Sequence, residues 1–391
     1  MSGMSGIERL KRSYSRAAVA GVLGFVALAA GAFGHPDQFF RSYLPAFIFV
    51  FGLALGSLAL LMLQHMTGGA WGLMIRRLLE AGARTLPLVA LMFAPLVLGL
   101  SRLFIWANPE VVAHDAVLQQ KALYLNRGFF LVRAVIYFAV WIVMTRALSR
   151  WSAAQDARPR GEDDRRFRLL SGPGLVVYGV TVTFASVDWI MSLDPHWFST
   201  IFGMLTMVGQ ALSTLAFAIA VLAACSHDEP FRDRLNVAHL HDLGKLLFAL
   251  VMLWAYLAFS QFLIIWAGNL PEEIPWFIER LRGGWQYVAL VIVLGHFALP
   301  FLLLLSRDVK KNPSALAAMA ILILVMRFVD TYWLIVPAFP HEGMPIHWMD
   351  LAAIVGVGGI WLAAFFRLLG TRGRLPMNDP NFEDAVAHGR H

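Results

Sequence analysis

"YLPAFIFVFGLALGSLALLMLQH", Tyr43–His65, carries no Asp, Glu, Lys or Arg from end to end. An α-helix rises about 1.5 Å per residue and the hydrocarbon of a bilayer is about 30 Å thick, so about 20 such residues suffice to cross it. The stretch therefore reads as one complete membrane span. Working outward from it, nine further runs of the same kind follow, at roughly 17–34, 85–106, 128–148, 172–192, 197–225, 243–267, 284–305, 315–337 and 347–369. The whole chain agrees: 59% of its residues are hydrophobic and 15% charged, against about 45–50% and about 25% in ordinary soluble domains. Alternating segments of about ten residues, the mark of a transmembrane barrel, are absent. Residues 1–391 are expected to form a single, all-α polytopic membrane domain.

"ERLKRSYSR" before the first run resembles the basic start of a signal peptide, but no small-residue cleavage site follows at a suitable spacing, so the run is read as a retained first helix. Lys and Arg then set the orientation. With the N-terminus in the cytoplasm, the cytoplasmic segments hold Arg9 to Arg16, Arg76, Arg77, Arg84, Arg146, Arg150, 158–168, Arg232, Arg234, Lys245, Arg307, Lys310, Lys311 and Arg367 onward. The other side keeps Arg41, Arg102, Lys121, Arg127, Arg133, Arg280 and Arg282. By the positive-inside bias both termini are cytoplasmic. The net charge of +7 is a topology signal and implies no nucleic-acid partner.

Two connectors are long. Residues 149–170, including "RWSAAQDARPRGEDDRRFR", read as a solvated cytoplasmic connector of mixed charge with one amphipathic turn. Residues 268–284, within "GNLPEEIPWFIERLRGGW", read as an external interfacial loop. Pro271 would open a short helix, Glu272 and Glu273 would favour its dipole, and Trp276 and Phe277 would anchor it at the interface. It would lie on the membrane surface or offer a docking face to a partner. "FVFGLALGSLAL" (Phe49–Leu60) and "TMVGQALSTLAF" (Thr206–Phe217) share small residues at helical spacing, Gly52 with Gly56 and Gly209 with Ser213, which let helices approach closely. They are either two ordinary helix contacts or traces of a repeat pairing the bundles 43–192 and 197–337.

With one cysteine, Cys225, and no CxxCH, the chain has no ligand set for an iron-sulfur cluster or covalent haem. Only His296 sits at mid-span, with His65 at a span end, too few for a bis-histidine haem. No phosphate-binding glycine loop is present. No metal site and no cofactor bound by this chain is expected, and the chemistry falls to polar groups inside the membrane, which mark a pathway or a structural pair.

In the fifth span Tyr178, Thr181, Asp188 and Ser192 share one face. Asp188 is either a proton-exchanging carboxylate raised by burial or one fixed by a neighbouring Arg or helix end. Ser199, Gly203, Thr206, Gln210 and Ser213 line a face of the sixth span, as a file of waters or as interhelical hydrogen bonds. In the seventh, Lys245, Met252, Tyr256 and Ser260 share a face, although Lys245 alone reads as snorkelling to the interface. His296 in the eighth precedes Pro300, which removes the N–H that would bond the His296 carbonyl and predicts a kink there. His296 is a proton relay or a neutral bridge between helices. Arg327 and Asp330 in "MRFVDTYW" are an i,i+3 pair, structural or switchable. The path these residues suggest runs from Lys245, Tyr256 and Ser260 towards His296, and from Arg327 and Asp330 to Asp188.

"SVDWxMSLDPHWFSTIFG", "HDLGKLLFA", "WAYxAFSQFLIIWxGNLPEEIPWF", "GHFALPFLLLLSR" and "MRxxDxxWL" resemble the second NrfD-like membrane subunit (the ActF type) of alternative complex III, a bacterial quinol:cytochrome c oxidoreductase. The resemblance runs from about the second to the tenth span. It implies two four-helix bundles plus two peripheral helices in the bacterial inner membrane. It also implies a homologous NrfD-like sister subunit holding the quinol pocket, and iron-sulfur, cytochrome c and small membrane subunits, a terminal oxidase and lipids as partners. Haem c and the iron-sulfur clusters would belong to those partners, with quinone in the complex. Asp188, His296, Arg327 and Asp330 match the family's buried polar motifs. The reading from a different class is a self-sufficient secondary transporter with a buried Asp/Arg coupling site; it calls for midplane breaks in both halves, and Pro300 is the one clear break. "SVDWIMSLDPHW" itself reads as the end of the fifth span followed by a tight turn shaped by Asp194 and Pro195, with His196 beside it and Trp197 opening the sixth span at the interface.

Overall fold

The computed structural model of the chain describes residues 6–157, 165–339 and 346–387. Among them there are helices and turns and no strand. Ten of these helices are long and apolar enough to cross a membrane: α1 Lys11–Gly34, α2 Pro36–Thr67, α3 Ala70–Leu98, α4 Arg127–Asp156, α5 Arg165–Leu193, α6 Phe202–Cys225, α7 Val237–Gly268, α8 Trp285–Leu305, α9 Pro313–Ala338 and α10 Trp348–Leu369.

α2 is the central post. In its most apolar stretch 89% of residues are buried, against 17%, 28% and 22% in α1, α7 and α8, so α2 is a core helix and the other three form the rim. Around α2 pack α3, α5, α6, α9 and α10, while α1 lies along α10. α4 packs on α5, and α7 on α6 and α8. Local chemistry sets the ends. Pro36 lies in the first turn of α2, where a missing N–H costs nothing, and the helix stops at Gly68 with φ 66°. α7 opens on a capping box between Asn236 and His239 and closes on Asn269 in the left-handed region.

The two stretches that share small residues pack against each other. A side chain at Gly56 would run into the Gln210 backbone carbonyl of α6, so the close crossing of α2 and α6 needs glycine there. Thr214 fills the same crossing and donates its hydroxyl to the Leu53 carbonyl at 3.2 Å.

Several boundaries differ from those the sequence predicts. The third span starts at Ala70, not near 85, and is broken into the helices Ala70–Ala83, Leu86–Met92 and Ala94–Leu98. Pro87 and Pro95 lack the N–H that would continue the ladder. Arg76 and Arg77, expected in a cytoplasmic loop, lie inside the first of these helices and are buried. α6 begins at Phe202, and Trp197 sits in the turn before it, 3% exposed. In the 268–284 connector the helix is Ile274–Arg280 and starts after Glu273 rather than at Pro271. Its Trp276 is not an interfacial anchor: it is buried and stacks on Trp197 at 4.3 Å. α4 extends to Asp156, and 158–164 of the 149–170 connector lie outside the described residues.

Substituting Gly56 by Leu is expected to destabilise the protein by about 1–3 kcal/mol, the usual cost of overfilling a core. Gly34, where an added methyl group would meet nothing within 4 Å, should accept Ala unchanged; thermal unfolding in detergent separates the two.

Candidate functional site

Among the described residues, charged groups buried in the spans meet opposite charges. In α9, Arg327 Nη1 meets Asp330 Oδ2 at 2.5 Å, one helical turn along. The guanidinium lies across Gly209 of α6, where a side chain would occupy its space. Its Nε reaches Ser213 Oγ at 3.4 Å, and Thr331 donates to the Arg327 carbonyl at 2.8 Å. A cavity of about 40 Å³ adjoins the pair where α2, α5, α6 and α9 meet, and its polar lining includes Thr206, Gln210, Ser213, Arg327, Asp330 and Thr331. A water needs about 10–15 Å³ of such space, which leaves room for about three or four. Gln210 continues the polar set towards α5 by accepting a hydrogen bond from the Tyr178 hydroxyl at 2.9 Å.

The second pair is closed. Asp188 is fully buried and receives Arg133 Nε and Nη2 on its two oxygens, at 2.9 and 2.8 Å, and the Tyr137 hydroxyl at 3.0 Å. Arg133 also donates to the Tyr124 carbonyl at 3.0 Å and lies over the Tyr124 ring at 3.8 Å. This two-point fork with a phenol as third donor leaves the carboxylate little freedom. Of the two readings of Asp188, the geometry is that of a carboxylate fixed by a neighbouring Arg. Asp188 faces α4, whereas Trp189, about 100° further round the helix, faces the cavity and packs on Phe51 and Phe93. The step from Arg327 and Asp330 to Asp188 is thus interrupted: the groups lie on different sides of α5 with aromatic rings between. Thr181, on the same helix, accepts from Trp141 Nε1 at 2.9 Å and serves as a helix tie.

The face of α7 carrying Lys245, Tyr256 and Ser260 points outward. Lys245 is exposed and pairs with Asp242 at 3.1 Å; Tyr256 is 66% exposed. The inward face is Leu243, Leu247, Val251, Trp254, Leu257 and Gln261. Helical phase groups the three residues correctly but does not fix the direction they face, because a rim helix buries only a narrow stripe. The cytoplasmic arm expected through these residues to His296 therefore does not run through the core.

His296 is fully buried, 3.8 Å from the Trp254 ring centroid, and neither ring nitrogen has a hydrogen-bond partner among the described residues. The expected kink takes the form of a π-helical turn over Val293–Ala298, the wider winding that forms where Pro300 withholds its N–H.

Outside the spans, Asp115 accepts from the Val117 and Leu118 backbone and pairs with His196 at 2.8 Å. The Leu118 N–H, with help from His196, holds its carboxyl below the usual range. Lys121 donates to the Pro195 carbonyl at 2.5 Å, so the 190s turn is tied down from both sides. Arg280 is buried, 3.6 Å from the Trp276 ring centroid, and donates to the Trp276 and Leu334 carbonyls. Burial lowers its pKa to about 9 against the pull of Asp194 and Glu279, which leaves it charged at neutral pH.

Two polar clusters lie beyond what sequence reasoning singles out. Glu80 accepts from Arg77 and Ser152, each at 2.7 Å, with Arg76 at 3.3 Å and Arg372 at 3.5 Å. Arg76 also reaches Asp379 at 2.5 Å, and Arg77 pairs with Asp156, so α3, α4 and the C-terminal segment are locked together. The readable signal is "RRLLE", which sets Arg and Glu three and four apart. Asp350 receives Ser42 at 2.6 Å and Tyr332 at 2.9 Å, joining α2, α9 and α10. Among the described residues, no group of His, Cys, Asp and Glu side chains is arranged to hold a metal.

Compared with known proteins, the chain matches no family model and no curated protein.

Replacing Asp188 by Asn should cost about 3–5 kcal/mol, because Arg133 is left buried without its counter-charge. The double variant R133Q/D188N should recover most of that loss; thermal unfolding of the three proteins in detergent measures it.

Proposed function

We propose that the chain is an integral subunit of a quinol:cytochrome c oxidoreductase in a bacterial inner membrane, without a redox centre of its own. In this reading the Arg327–Asp330 pair is its proton-exchanging group. The observation that carries the reading is the cavity beside that pair. A carboxylate held by a short contact to its own helix, next to space for a few waters and to the polar groups of Ser213 and the Gln210–Tyr178 pair, has the parts needed to take up and release a proton. The motif resemblance supplies the context: quinol would be oxidised in a homologous sister subunit, with haem c and iron-sulfur clusters in further partners. A unit charge appearing about 7 Å away contributes about 2 kcal/mol at an effective dielectric of about 20, enough to change the proton occupancy of such a group by more than tenfold.

The cluster is shorter than the path the sequence suggests. Asp188 belongs to the scaffold, Lys245 and Tyr256 to the outward face, and His296 to the π turn, where ring nitrogens without a partner among the described residues suit a group that exchanges partners. Against a self-sufficient transporter stands the placement of the irregular segments. They fall in α3 and α8, the second helix of one set of four and the third of the other, not at corresponding positions.

Extraction of the tagged protein from its native membrane in mild detergent should bring down cytochrome c absorbance and quinol:cytochrome c reductase activity; a chain that runs alone with neither would overturn the reading. In proteoliposomes of that complex, Asp330→Asn should leave cytochrome reduction within about twofold while lowering the protons moved per electron, and an unchanged ratio would exclude the proton role.

A further inference from the structure

A second, much larger space lies away from the Arg327–Asp330 cluster. α1, α2, α6, α9 and α10 enclose an open groove of about 1120 Å³. Its walls are apolar, among them Phe49 and Leu53 of α2, Phe217 and Val221 of α6, and Ile354 and Leu362 of α10. On α10 the lining runs from Ile354 to Phe366, about 18 Å of helix. One leaflet of hydrocarbon is about 15 Å deep, so the groove spans a single leaflet rather than the bilayer.

The two ends of the groove differ. At the deep end the described side chains that face it are apolar. At the shallow end stand Arg12, Ser13 and Arg16 of α1, the two arginines exposed, together with Asp228, which has the Arg374 guanidinium at 3.7 Å. Two guanidiniums four residues apart lie on one side of a helix, and a guanidinium is a planar group whose geometry suits phosphate.

We propose that this groove is a binding site for one anionic phospholipid of the arginine-side leaflet. Its phosphate would sit at Arg12 and Arg16, and its acyl chains along the walls formed by α2, α6 and α10. Three observations agree on that occupant: a single-leaflet depth, apolar walls along its length, and basic residues confined to the headgroup end. Basic pockets between spanning helices at a membrane surface have this recognition chemistry. A partner's helix would need a matching acidic side chain at the shallow end and would end at mid-membrane. Bulk lipid would fill the groove without regard to headgroup.

The test is native mass spectrometry of the protein extracted in mild detergent with its accompanying subunits, given equal amounts of phosphatidylglycerol and phosphatidylcholine with identical chains. Phosphatidylglycerol should be retained about tenfold more. The preference should fall to near parity in R12Q/R16Q and persist in R307Q/K311Q, which removes the same charge elsewhere. Ala220→Trp, which fills the wall, should lower retention of both lipids; should that variant fail to fold, the two charge variants decide alone. Equal retention of the two lipids by the unaltered protein, or a preference that survives R12Q/R16Q, would overturn the proposal.

Discussion

A guanidinium in hydrocarbon must carry its counter-charge with it. Leaving one partner of a buried ion pair alone costs several kcal/mol, more than most packing contacts contribute. That constraint shapes the molecule at three levels of the membrane. Arg76 and Arg77 converge on Glu80 at the arginine-rich end, Arg133 on Asp188 at the other, and Arg327 on Asp330 within α9. Arg133–Asp188 ties α4 to α5 directly, while Arg77 and Arg327, each paired on its own helix, also reach Asp156 of α4 and Ser213 of α6; these contacts fix a register that apolar packing alone would leave loose, since lipid tails are as apolar as leucine.

The two aspartates look alike in sequence and differ in surroundings. Val187–Asp188 and Val329–Asp330 each lie near the end of a span. Asp188 is gripped at both oxygens and roofed by Tyr137. Asp330 has a short contact to an arginine on its own helix and adjoins the small cavity. A fully satisfied network is rigid, and a partly satisfied one beside water has somewhere to send a proton. The same fold thus holds one pair closed and leaves the other beside open space, and Gly209 is what gives the second guanidinium its place.

The ten spans are legible in the sequence because their signal is length and hydropathy, properties of one segment at a time. The Arg327–Asp330 pair is legible for a similar reason, since both ends sit on one helix at a spacing that fixes their meeting. Arg133 as the partner of Asp188 is not, because 55 residues separate them and no periodicity links α4 to α5. Lys245 and Tyr256 do share a face of α7, but it is the outer one. Helical phase tells which residues align, but on a rim helix rich in apolar residues all round it does not tell which side is in. The break in α3 is written in Pro87 and Pro95, yet an apolar run tolerates proline at span depth, so the third span reads as later and more regular than it is.

The central claim is that Asp330, and not Asp188, changes its proton during turnover. Redox-triggered infrared difference spectroscopy of the assembled complex measures this directly, through the carbonyl band that appears only when a carboxylate is protonated. The band should vanish in Asp330→Asn and remain in a folded R133Q/D188N variant. A band that survives Asp330→Asn and disappears with Asp188 would contradict the claim.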